Sequence, residues 1–259
     1  MNSSVISIHS VPRSGSSWLL SIFNSIANTK CVYQPLFSYA FKNVLSPAST
    51  KSEYDSFIDN ISKTDDDFCT MRSKLHTNNG TIEPPNFNKT GIDYVVMKHT
   101  THHHLIEQLL RFDENIKIIG LIRSPEDVIS SQMKASHERL IDWHNGMDKN
   151  KDDIANNYFG FNKWNEATGY FIKLKKKYPT NVYLLNYEDL VQNPLNEIRG
   201  LFAFCNLELT ESTQTFIQLS TNTTSEYDYS VYRSKLQSMN KCSALSPEIL
   251  QFIRDNTIL

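Results

Sequence analysis

Short apolar runs alternate with amphipathic stretches along this chain. Val5 to Ser10 is an apolar run that predicts a strand. A turn rich in small hydroxyl residues follows, Pro12-Arg13-Ser14-Gly15-Ser16-Ser17. From Ser16 the apolar positions Trp18, Leu19, Ile22, Phe23 and Ile26 fall three and four apart, which is helical spacing. Lys30 to Tyr33 reads as a second short strand, and Tyr94 to Lys98 as another. His102 to Phe112 predicts a helix. Ile116 to Ile122 is almost continuously apolar, as expected for a strand covered on both faces. Ser124-Pro125-Glu126-Asp127 then gives a helix start: serine as N-cap, proline at the first helical position, acids in the first turn. Ile154, Tyr158, Phe161, Trp164, Phe171, Leu174 and Tyr178 keep helical spacing and predict a long amphipathic helix. Val182 to Leu185 is a further strand, and helices are predicted over Pro194 to Cys205 and Pro247 to about Asp255.

Strands that alternate with helices predict an α/β fold: a single domain over 1–259, with a mostly parallel central sheet flanked by helices. The segment from about 45 to 92 breaks the pattern. It carries Ser46-Pro47, Asp65-Asp66-Asp67, Asn78-Asn79-Gly80 and Pro84-Pro85, and it reads as irregular, with one short helix around Tyr54 to Ile61. Such a segment is either a substrate-side lid or a surface loop.

Composition narrows the function classes. The chain has 259 residues, 39% hydrophobic, which suffices for one large core. Its 26 basic and 28 acidic residues nearly cancel, so bulk charge argues against a nucleic-acid partner but leaves room for a local basic pocket. No apolar run approaches the roughly 18 residues of a membrane span. Cys31, Cys69, Cys205 and Cys242 form neither a CxxC pair nor a zinc-like spacing. Scattered cysteines and the absence of a signal-peptide pattern lead us to expect a reduced, cytoplasmic protein.

Two stretches are candidates for anion binding. The first is the turn before the Ser16 helix. Helix-start N–H groups and the helix dipole favour a negative ligand, Arg13 adds charge, and Ser14, Ser16 and Ser17 add hydroxyls. It matches neither GxxxxGK[ST] nor GxGxxG, and by itself it fits simple helix capping equally well. The second is Arg123, at the end of a buried strand, with Ser131 eight residues on. Ligands in open α/β sheets bind outside the carboxyl ends of strands, where both arginines fall.

Pro12-Arg13-Ser14-Gly15-Ser16-Ser17-Trp18-Leu19 resembles the 5′-phosphosulfate loop of sulfotransferases, enzymes that use 3′-phosphoadenosine-5′-phosphosulfate (PAPS). Arg123 to Ser131 has the spacing of that family's 3′-phosphate motif, and Asn186-Tyr187-Glu188-Asp189-Leu190 resembles its Tyr-Glu-Asp-Leu segment. The resemblance implies the sulfotransferase variant of the P-loop NTPase-like fold and release of adenosine 3′,5′-bisphosphate (PAP). It also implies site residues. Arg13, Ser14, Gly15, Ser16 and Ser17 would grip the 5′-phosphosulfate. Trp18 and Tyr187 would lie near the adenine. Arg123 and Ser131 would take the 3′-phosphate, with Arg233 as a further phosphate contact. Glu188 and Asp189 read as capping or structural acids.

Sulfuryl transfer asks for in-line positioning, charge stabilisation on the leaving phosphate and a base for the acceptor proton, with no metal required. By resemblance, Lys98 matches the lysine that family members place on the transferring sulfonate. The usual histidine two residues later is replaced by Thr100. His99 is therefore the first candidate base, with His103 and His104 as rivals. His99, His102, His103 and His104 also allow surface histidines or a metal site, although no HExxH is present. Cys31-Val32-Tyr33-Gln34-Pro35-Leu36 resembles a carbohydrate-sulfotransferase segment that reads Glu-Pro-Leu; Gln34 can bind an acceptor hydroxyl but cannot take its proton. The expected activity is sulfuryl transfer to a small-molecule or glycan hydroxyl, carbohydrate-like on this last likeness. An inactive nucleotide- or glycan-binding protein on the same fold and a P-loop-type kinase are the alternatives.

Overall fold

The computed structural model describes residues 3–71, 89, 91–139, 160–223, 231 and 245–258. Five strands form one all-parallel sheet: β1 (Ser4–His9), β2 (Thr29–Tyr33), β3 (Tyr94–His99), β4 (Lys117–Ile122) and β5 (Val182–Asn186), in the order β2-β3-β1-β4-β5. The described helices are α1 (Ser16–Asn24), α2 (Lys51–Lys63), α3 (Ile106–Phe112), α4 (Pro125–Arg139), α5 (Phe161–Lys177), α6 (Tyr187–Gln192), α7 (Pro194–Phe204), α8 (Glu211–Asn222) and α9 (Pro247–Asn256). Single 3-10 turns sit at Pro35–Phe37 and His103–Leu105.

Strand side chains alternate between the two faces. Val5, Val95, Met97 and Ile118 join one core with α2, α3, α5 and α9 side chains such as Phe57, Leu109, Trp164 and Ile253. Ile6, Ile8, Val96, Ile119 and Leu121 join a second core with Leu19, Phe23, Leu190, Phe202 and Ile217 of α1, α6, α7 and α8. Burial on both faces explains why these strands read as apolar runs rather than alternating ones. The sheet grows from β1 first toward β3 and β2, then toward β4 and β5. The switch point lies at the carboxyl ends of β1 and β4, the expected crevice for a ligand.

Several elements differ from the sequence reading. The helix expected at Tyr54–Ile61 is a 13-residue α2, started by a reciprocal cap in which Thr50 accepts from Glu53 N and Glu53 from Thr50 N. Its Tyr54, Phe57 and Ile61 are buried, so the helix within the 45–92 segment is longer than expected and core-forming. Positions 72–88 and 90 lie outside the described residues. His102 does not start an α-helix: it adopts φ 62°, a 3-10 turn follows, and α3 begins at Ile106. The helix expected from Ile154 is described from Phe161, behind Gly160 at φ 95°. Helix α8, capped by Thr210, was not anticipated. Cys31, Cys69 and Cys205 are free and buried, and burial pushes each thiol up to about 12. Cys242 lies outside the described residues.

Candidate active site

The loop from Ser10 to Gly15 leaves β1 at the switch point. Ser10 N donates to His99 O at 3.1 Å, which ties the start of the loop to β3. Gly15 caps α1 at φ 87°, and its carbonyl accepts from Trp18 N and Leu19 N. A Cβ at Gly15 would lie 2.3 Å from Tyr187 Cε2, so both the backbone conformation and the space demand glycine. Arg13 is also left-handed, at φ 71°. Non-glycine residues rarely adopt that region, and its persistence marks a loop held by its surroundings.

Those surroundings are the other predicted anion residues. Arg13 Nε donates to Ser131 Oγ at 3.0 Å, across 118 positions of sequence. Arg123 Nη1 donates to Arg13 O at 3.0 Å. The Arg123 guanidinium lies 4.6 Å from the centroid of the Tyr187 ring, and its Nη2 faces Asp127 Oδ2 at 3.2 Å. Trp164 Nε1 donates to Arg123 O, fixing the end of β4. Glu188 caps the start of α4 by accepting from Ser124 N at 2.9 Å, a structural task. Trp18 donates to Ser220 on α8 and stands edge-on to Tyr187 with centroids 6.4 Å apart. Arg13, Ser131, Gly15, Trp18, Arg123 and Tyr187 therefore form one cluster. Arg233 lies outside the described residues.

This cluster carries buried donors without a protein partner among the described residues: Ser10 Oγ, Ser14 Oγ and Arg123 Nε. An unsatisfied buried donor is costly, and one arginine plus two hydroxyls beside a helix start suit a phosphate or phosphosulfate. Ser16 is buried and Ser17 half-buried in the first turn of α1. Ser10 was not among the sequence candidates, although it belongs to the same hydroxyl-rich turn.

Lys98 and His99 end β3 on opposite faces, so the structure does not bring them together. Lys98 is paired in register with Tyr33, and its Nζ lies 4.4 Å from that ring's centroid, on the α1 side. His99 is paired with His9 on the other side, ring against ring at 5.1 Å. His9 Nδ1 lies 3.1 Å from His103 Nδ1, His9 Nε2 lies 2.9 Å from Ser7 Oγ, and His103 packs edge-on to Phe171. His99 Nε2 has no hydrogen-bond partner among the described residues. Burial first, and neighbouring imidazoles second, push His99 down to about 3 and His103 to about 4, and lower His9 as well. All three are neutral at pH 7. His102 is lowered by burial and by His104, and His104 is exposed. Among the described residues no three His, Cys, Asp or Glu side chains converge to hold a metal ion.

Gln34 leaves β2 at φ 43°, and its N–H donates to Lys98 O at 2.8 Å. Its side-chain carbonyl accepts from Thr100 Oγ1 at 2.7 Å. The two positions that depart from the resembled patterns are thus in contact with each other, beside Lys98.

A family model described as a sulfotransferase domain matches residues 4–255. Carbohydrate sulfotransferase 3 of Mus musculus is 22% identical over 134 residues, 49% of this chain and 28% of that protein's length. Among solved structures, the sulfotransferase domain of the Synechococcus olefin synthase superposes with a TM-score of 0.57 at 15% identity, covering 98% of this chain and 94% of its own. The sulfotransferase domain from the curacin biosynthetic pathway gives 0.54 at 16% identity, covering 98% and 97%. A mouse sulfotransferase complexed with PAP gives 0.57 at 12% identity, covering 98% and 82%.

Proposed function

This chain belongs to the sulfotransferase domain family, and from that premise we propose that it transfers a sulfuryl group from PAPS to an acceptor hydroxyl. The observation that carries the reading is the convergence of Arg13, Ser131 and Arg123 around a loop whose buried donors Ser10 Oγ, Ser14 Oγ and Arg123 Nε have no partner among the described residues. Bound PAPS would supply the sulfuryl group and a phosphate leaving group.

The chain's own residues do the rest. The α1 N–H groups with Ser14, Ser16 and Ser17 hold the 5′ end, and Arg13 adds charge there. Arg123 and Ser131 take the 3′-phosphate, and Trp18 and Tyr187 flank the base. Lys98 supplies a cation at the sheet edge, where charge develops on the bridging oxygen. Preorganised positive charge in a water-poor site is the larger part of such catalysis. Gln34 and Thr100 orient the acceptor hydroxyl. Of the candidate bases, His103 reaches the turn after β3, while His99 is closed in behind it. The Gln34-Pro35-Leu36 likeness and the mouse relative support a sugar hydroxyl as acceptor. The neutral Gln34–Thr100 pair favours one second reading, a binding protein without turnover.

Following release of PAP from PAPS in EDTA, with a panel of phenols, sterols and sugars, tests the proposal. Acceptor-dependent release that Lys98→Met abolishes, while PAP still binds, supports an enzyme. PAP binding without release on any acceptor favours the binder.

A further inference from the structure

A serine and two imidazoles form a hydrogen-bond chain behind the Ser10–Gly15 loop. Ser7 and His9 stand two residues apart on β1 and share one face of the sheet. His9 Nε2 is 2.9 Å from Ser7 Oγ, and His9 Nδ1 is 3.1 Å from His103 Nδ1. The inner end of the chain is closed, because Ser7 and His9 are both buried. The outer end is His103, half-buried in the turn after β3 and edge-on to Phe171 of α5. His99 stacks on His9 at 5.1 Å and packs that ring in place.

The inner end sets the direction of the chain. A neutral imidazole has one N–H and one lone pair, so two consistent arrangements exist. In the first, His103 Nδ1–H donates to His9 Nδ1 and His9 Nε2–H donates to Ser7 Oγ, which turns the Ser7 proton into the core. In the second, Ser7 O–H donates to His9 Nε2 and His9 Nδ1–H donates to His103 Nδ1. Among the described residues the hydrogen-bond partner of Ser7 Oγ is His9 Nε2 and no other. The first arrangement therefore strands a buried O–H donor at the full desolvation cost of that group. The second strands none, and it leaves the last N–H on His103 Nε2, at the outer end. Among the described residues the titratable groups that act on His9 are His99, His103 and His102, and those that act on His103 are His102 and His104. No carboxylate among them draws a second proton onto either ring.

We propose that Ser7 and His9 are positioning residues that fix His103 as its Nε2–H tautomer, and that His103 serves the reaction as a neutral hydrogen-bond donor to oxygen and not as the base. Its place in the turn makes His103 reachable, but the lone pair a base would need is taken up by His9 Nδ1–H. The inference rests on the sulfotransferase reading for the oxygen addressed, one that carries negative charge on the transferring group. In that step the bond between acceptor oxygen and sulfur forms. The bond between sulfur and the bridging oxygen breaks with its electron pair left on PAP, and the acceptor's proton passes to solvent water. A donor fixed beforehand needs no reorganisation as charge collects on oxygen.

Long-range proton–nitrogen NMR of the imidazoles, on the nitrogen-15-labelled full chain at pH 7 without ligand, tests the tautomer. His103→Gln assigns the His103 signals by their loss. His103 Nδ1 should resonate as a bare nitrogen and Nε2 as an N–H. The reverse pattern, or averaging between the two, would overturn the proposal. Ser7→Ala should blur the pattern, and an unchanged spectrum would overturn the part given to Ser7. Turnover of PAPS with the acceptor panel tests the role, with PAP titration of each variant as the check on folding. His103→Leu should lower kcat by about 100-fold or more, as for loss of one preorganised donor. His103→Gln keeps an N–H but has no basic nitrogen, and it should retain kcat within about tenfold. Equal effects of the two variants, large or small, while PAP still binds would overturn the donor role. If the Nε2–H tautomer is found and no acceptor turns over, the transfer reading falls and the hydrogen-bond chain stands.

Discussion

At the β1–β4 end of the sheet, buried hydroxyls and a guanidinium nitrogen lack partners among the described residues, whereas at the β2–β3 end Gln34 and Thr100 have found each other. Among the described residues nothing pairs with Ser10 Oγ, Ser14 Oγ or Arg123 Nε. Gln34 and Thr100 bond to each other, and Lys98 sits over an aromatic ring. The first arrangement fits a site preformed for one highly charged ligand, whose binding repays the cost of the open donors. The second fits a site where a neutral group exchanges into an existing hydrogen bond, with shape and apolar area setting the preference.

Replacing Arg123 breaks the charged end most severely. Arg123→Ala removes a buried guanidinium and its ion pair with Asp127. PAP affinity should fall by about 100-fold or more, as for the loss of a buried charge-assisted contact, and calorimetry reads it.

Acid weakens the region between the two ends. The His9, His99 and His103 rings are held below their ordinary values by burial. Because the folded values are depressed, the stability is fully present above the unfolded value of about 6.5. It is lost as pH falls from there toward about 3 to 4 for His99 and His103. Each imidazole contributes up to about 1.4 kcal/mol per pH unit in that window. Denaturant titrations between pH 7 and 5 should show the slope, and His99→Leu should reduce it; a flat profile would contradict the buried neutral cluster.

Gly15→Ala sharpens the comparison. A methyl group at φ 87° would meet the Tyr187 ring. Backbone strain of about 1–3 kcal/mol is expected, seen as a lower melting temperature together with weaker PAP binding. The smallest effect on the charged end is expected from Gln34→Ala. PAP affinity should stay within about fivefold, since an uncharged contact contributes only about 1 kcal/mol even where it is made, while the acceptor KM rises.

The legibility of the two ends differs for a physical reason. The loop at Ser10–Gly15 and the start of α4 are written in neighbouring residues: an apolar strand, a glycine at a left-handed cap, a Ser-Pro start. Their chemistry could be read locally. That Arg13 would bond Ser131, or that His9 would stack on His99, depends on the β1–β3–β4 order, and no local pattern encodes strand order. The contact between Phe37 and Phe68 is harder still, because the two rings meet only after α2 has packed. Helix α2 was read in part, around Tyr54 to Ile61; its start carried a further local signal, Thr50 three residues before Glu53. The face assignment at Lys98–His99 follows from strand alternation once β3 is known to include both.

Calorimetric titration with PAP in the absence of metal, with ATP and ATP–magnesium as controls, tests the central claim most directly. The sulfotransferase reading predicts low-micromolar or tighter PAP binding that Arg13→Ala weakens and Arg123→Ala abolishes, with ATP much weaker. No PAP binding, or a preference for ATP with magnesium, would contradict it and leave the Ser-Gly-Ser loop as a phosphate site for a different ligand.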